Sequence, residues 1–164
     1  MQQFIRSIDK GKWVTGLAPA TPSTSTPDYV TLKAHQKLTA VICVDNGATV
    51  TGSAITLKQA TDVTNSQSDE KAVAFTTYWA NTDTGASDTL TATTATSNTF
   101  TTDTTNNKNL LYVLEVDADD LDADNNFDCV RVGTADAANT VLSVVYYLHG
   151  PRYASGIADT AITD

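Results

Sequence analysis

In KLTAVICVD, Lys37 to Asp45, the side chains of Leu38, Ala40, Ile42 and Val44 fall on one side of an extended chain, and those of Thr39, Val41 and Cys43 fall on the other. Both sides are mostly apolar, which predicts a central strand with something packed on each face. The same period of two recurs along the chain. GSAITLKQA turns Ile55 and Leu57 inward and Thr56 and Lys58 outward, as in a sheet with one wet face. NLLYVLEVD sets Leu110, Tyr112, Leu114 and Val116 against Leu111 and Val113. TVLSVVYYLHG places Tyr146 with Leu142, Val144 and Leu148 and is ended by Gly150 and Pro151. YVTLKA and FDCVRVG are shorter strand signals, and KAVAFTTYW reads as one strand with Val73, Phe75, Thr77 and Trp79 on a common side. A threonine-rich stretch around Ser97 and Asn98 reads as a polar hairpin. About seven to nine short strands with no long helix predict an all-β fold, a single antiparallel β-sandwich of jelly-roll type.

Composition agrees. The chain has 164 residues, enough for one core, and threonine is roughly one residue in six. Its branched Cβ suits a pleated strand better than a helix interior. Charged residues are only 18%, yet the net charge is −9 and the pI near 4.4, so a nucleic-acid backbone would be repelled. The first residues hold no apolar run of signal-peptide type and no later run reaches bilayer length, so a soluble protein made in a cytoplasm, with neither nucleic acid nor membrane as partner, is expected. Cys43 and Cys129 lie in apolar strand-like runs and are expected as buried free thiols.

The domain plan has three parts. Residues 1–28 form an extended N-terminal arm, because Pro19, Pro22 and Pro27 keep it out of a sheet interior while Phe4, Ile5, Trp13 and Leu17 give it apolar anchors. Residues 29–154 form the sandwich, and residues 155–164 a weakly apolar tail that is extended or mobile.

Sites with chemistry are scarce. Asp117, Asp119, Asp120, Asp122 and Asp124 crowd one turn, but a calcium loop started at Asp120 meets Asn125 where glycine is needed and Arg131 where the closing carboxylate is needed. A solvated turn, its Asp and Asn side chains bonding their own backbone, is the expectation, and a cofactor or metal is not. His35 and His149 lack zinc-ligand spacing to the cysteines and read as surface or edge residues. No nucleophile elbow, phosphate-binding loop or metalloprotease motif occurs, and Asp69 with Glu70 is the kind of pair any acidic β-protein offers. No catalytic residue is nominated. Trp79 reads as a core or rim residue, and Tyr147 and Tyr153 as candidates for a contact surface, together with Arg152 and the anchors of the arm.

YVTLKAHQKLTAVI, ITLKQATDV, KAVAFTTYWANTDT, LEVDADDLDADNNFDCVRV and YYLHGPRYA resemble a family of small structural proteins encoded in tailed-bacteriophage virion gene clusters, over roughly Tyr29 to Ala154. The resemblance implies a β-rich body on the virion, assembled in the bacterial host cytoplasm. Its expected role is that of a capsid decoration or cement protein, with the major capsid protein and copies of itself as partners; a trimer would suit the local threefold positions of an icosahedral shell. A head-tail or tail component is the variant of that reading. A host-recognition or carbohydrate-binding spike module is the alternative from another class.

Overall fold

The computed structural model describes residues 10–22, 25–64, 69–152 and 160–162. In chain order the strands are β1 (Gly11–Ala20), β2 (Val30–Thr31), β3 (His35–Asn46), β4 (Ala54–Ala60), β5 (Lys71–Ala72), β6 (Thr77–Asn81), β7 (Thr91–Thr94), β8 (Thr99–Thr101), β9 (Asn109–Asp117), β10 (Cys129–Thr134) and β11 (Thr140–Pro151). They form two antiparallel sheets packed face to face, an all-β sandwich. The larger runs β1-β11-β3-β9-β6-β7, and the smaller runs β2-β10-β4, with β5 and β8 sharing the far edge of β4.

Alternation decides what each strand buries. Leu38, Ala40 and Ile42 of β3, Leu114 of β9 and Val144 and Leu148 of β11 lose all solvent contact against Ile55, Leu57, Val130 and Val132 of the smaller sheet. Each such Leu, Ile or Val side chain contributes roughly 1.5–3 kcal/mol of transfer free energy. The strand predicted to be central, β3, lies between β11 and β9, paired with both along nearly its whole length. Two tyrosines fasten the layers. The Val132 N–H donates to the Tyr146 hydroxyl at 2.9 Å, a bond from the smaller sheet to the larger, and the Asp103 N–H donates to the Tyr112 hydroxyl at 2.7 Å. Burial pushes both phenols up, Tyr112 to about 12. Tyr78 of β6 stacks on Phe100 of β8 at 3.9 Å and joins the sheets at their other side. The β7–β8 turn falls at Ser97 and Asn98, both with positive φ (54° and 61°), the geometry of a tight two-residue hairpin.

Several expectations are corrected. Gly11–Ala20, read as part of an arm, is the edge strand of the larger sheet, paired with β11 from Gly11↔His149 to Ala20↔Leu142. The prolines exclude only a sheet interior, and an edge strand tolerates Pro19. KAVAFTTYW is two strands in different sheets, because the chain leaves β4 after Ala72 and crosses over before Thr77. The crossing changes the parity, so Val73 and Phe75 are buried whereas Trp79 faces outward beside Val113. His35 is buried at 1% exposure, not a surface residue. Cys43 and Cys129 are free thiols, but only Cys129 is buried; Cys43 is exposed on the outer side of β3. Within the segment read as a tail, Ala161 is buried and its carbonyl accepts from the Thr31 N–H. Phe4, Ile5 and Tyr153 lie outside the described residues.

Candidate interaction surface

The outer positions of the larger sheet line up across strands. Val145, Val41, Val113, Trp79 and Ala92 are successive cross-strand partners on β11, β3, β9, β6 and β7, a continuous apolar row with no ionisable group in it. A parallel row begins on β1 with Trp13, opposite Tyr147, then Thr39 and Glu115. Trp13 is 47% exposed and stacks on Tyr147 at 4.4 Å, and Tyr147 stacks on His149 at 5.3 Å, so three rings form a ladder at one end of the face. The His149 Nε2 lies 3.1 Å from the Thr39 hydroxyl, which fixes the imidazole. At the other end a shallow hollow of about 440 Å³ opens among Pro19, Cys43, Asp45, Leu111, Val141 and Ser143. Charge flanks the apolar row: Glu115 stands in the ladder's own row, Lys37 pairs with it at 3.3 Å and with Asp117 at 3.5 Å, and Asp45 borders the hollow.

The outer side of the smaller sheet is built differently. Arg131 and Cys129, on its outward positions, are buried beneath Tyr29, Val63 and Glu70. The Glu70 carboxylate accepts from Arg131 at 2.6 and 3.2 Å and from the Tyr29 hydroxyl at 2.7 Å, with Lys58 at 3.2 Å. Burial alone would raise the Glu70 carboxyl; hydrogen bonds from Tyr29 and Arg131 outweigh it and hold the group below its ordinary range. Tyr29 moves upward because it is desolvated and donates to that carboxylate. These groups satisfy one another, so the arrangement closes the sheet rather than presenting a reactive atom.

The acidic run folds as two short 3-10 turns, Ala118–Asp120 and Ala123–Asn125, between β9 and β10. Asp120 accepts from the Asp117 N–H, and Asp122 accepts from the Asn125 side chain at 2.8 Å and pairs with Lys71 at 2.6 Å. Lys71 holds the Asp122 carboxyl below its usual range. Among the described residues, no group of three or more His, Cys, Asp or Glu is placed to hold a metal ion.

Of the residues nominated from sequence, Trp13 and Tyr147 come together in the ladder. Leu17 instead packs on the core, and Arg152 lies at the end of the sandwich, 3.8 Å from Asp119. Sequence reading did not single out Val41, Val113 and Val145 as surface residues, and it placed Trp79 in the core or at its rim. The available signal was the second, partly apolar parity of β3, β9 and β11; on β3 it predicted cover on both faces, whereas only one is covered by the described residues.

No family model matches this chain, and no curated protein does. Among solved structures, the crystal structure of the SPBc2 prophage-derived protein YomS is similar at 13% sequence identity, over 84% of this chain and 92% of that chain, with a TM-score of 0.43.

Proposed function

We propose that this chain is a non-enzymatic structural protein of a tailed-bacteriophage virion, a decoration protein that binds the head shell and stabilises it. The observation that carries this reading is the apolar outer face of the larger sheet, which none of the described residues covers. Soluble monomers rarely leave an apolar patch larger than a few hundred Å² exposed, and such patches mark interaction sites. A row of valines and a tryptophan cannot transfer a proton or attack a bond; it excludes water against another surface. The strand order supports the same reading. The run β1-β11-β3-β9 opposite β2-β10-β4-β8 matches the order expected of two interleaved Greek keys, which supports a jelly-roll reading with β5 to β7 as an insertion. Jelly rolls recur in viral capsid and lectin domains, a likeness of fold that bears on function by analogy.

The test is co-sedimentation of the purified protein with expanded capsids, followed by calorimetry of the decorated shells. Binding at a fixed stoichiometry with a raised capsid melting temperature is expected; a protein that stays in the supernatant overturns the reading. Imaging of the virion then separates the head surface from the head-tail or tail position. The exposed ring of Trp13 favours one second reading, a carbohydrate-binding module, since sugars stack on such rings. A glycan array distinguishes the two: binding abolished by Trp13→Ala supports the module, and silence supports the decoration protein.

A further inference from the structure

We propose that the outer face of the larger sheet is where two copies of this chain meet, related by a two-fold axis that lies in the contact plane and runs across the strands. The inference does not depend on the capsid reading, since it concerns the free protein in solution.

Size is the first argument. From strand spacing and rise, the face measures about 700 Å². Stable specific interfaces bury about 600–1,000 Å² per partner, so one further copy laid sheet on sheet falls within that range.

Charge is the second. A body of net charge −9 repels its copy unless the contact is stripped of charge, and the apolar row on Val145, Val41, Val113 and Trp79 is so stripped. A basic partner would instead be met by carboxylates, and these gather at the end of the sandwich, around Asp117 to Asp124.

Self-complementarity is the third, and it fixes the axis. An isologous contact requires each feature and its complement on the same face. The ring ladder of Trp13, Tyr147 and His149 stands at one end and the hollow beside Val141 and Ser143 at the other, six residues or about 20 Å along β11. An axis across the strands, level with Val41, reverses the strand direction and lays each ladder over the other copy's hollow. The same operation sets Lys37 over Asp45 of the partner subunit, because both residues lie four positions from Val41 on the outer side of β3. An axis along the strands would place Lys37 against its like-charged counterpart.

Sedimentation equilibrium of the full chain across the micromolar range should show a monomer–dimer equilibrium. Val113→Glu should weaken it roughly hundredfold or more, while Val113→Leu leaves it intact; circular dichroism and an unchanged melt would show that both variants fold. Lys37→Asp should weaken the dimer, and Lys37→Asp combined with Asp45→Lys should restore it. Thr39→Cys should be joined to Cys43 of the partner subunit by a bifunctional maleimide spanning about 10 Å, because sheets packed face to face lie beyond disulfide reach and the axis sets Cys43 opposite position 39. A monomer at every concentration, a trimer, a dimer indifferent to Val113→Glu, or a Cys43–Cys43 cross-link in its place would overturn the proposal. Capsid co-sedimentation of the Val113→Glu monomer reports separately on decoration, so either reading can fail alone.

Discussion

At the scale of single residues, the sharpest case is Glu70. In the sequence it is one half of an unremarkable Asp69–Glu70 pair, and its partner Arg131 is 61 positions away. In the fold it accepts three hydrogen bonds, two of them from a guanidinium only 7% exposed. Glu70→Ala leaves that guanidinium buried and unpaired and should cost about 3–5 kcal/mol at neutral pH, read from urea denaturation. Its pH dependence has a definite sign. The carboxyl is held below its ordinary value in the fold, so the stabilisation is complete above the unfolded carboxylate range, near about 4.3, and is lost as pH falls through the lower folded value. Melting temperatures measured from neutral pH into that range should therefore fall less for Glu70→Gln than for the native chain, from a lower start. Tyr146 makes a second case. Tyr146→Phe removes the acceptor of the Val132 N–H inside the core and should cost about 1–3 kcal/mol by the same measurement. The parity of Leu142, Val144 and Leu148 made burial of the ring legible; the bond to the other sheet was not, because no local pattern names a partner in another strand.

At the scale of elements, β1 shows what local reading leaves out. Prolines and serines mark residues 1–28 as irregular, yet the segment's middle completes the larger sheet, and the register with β11 slips after Thr15. Gly16 sits at that slip because a Cβ there would run into the buried ring of Tyr146, which has nowhere to retreat. Gly16→Ala should cost about 1–3 kcal/mol, seen as a lower melting temperature with native circular dichroism. Truncation through Ala20 should lower the melting temperature and promote aggregation, since it bares the edge of β11 and the ring of Tyr147. The split of KAVAFTTYW has the same origin: residue types and alternation specify extended chain, but not the sheet to which each half belongs.

At the scale of the molecule, the face proposed for self-association is a product of strand order. Val41, Val113, Val145 and Trp79 are scattered over more than a hundred positions, and only pairing of β11, β3, β9 and β6 brings them into one row. The alternation of apolar and hydroxylated side chains, the threonine content and the lack of a long amphipathic stretch determined by themselves that the chain is an all-β sandwich, because period two and branched Cβ atoms are properties of the extended backbone. They also determined the core parity of β11, where Tyr146 shares a side with Leu142, Val144 and Leu148. Tertiary structure alone decided that β1 is an edge strand, that Glu70 meets Arg131, and that the described residues cover the outer parity of the smaller sheet but not that of the larger. The physical reason is range: alternation is written residue by residue, while the cover over a face depends on which distant segment crosses it, and that is settled by the packing of the whole chain.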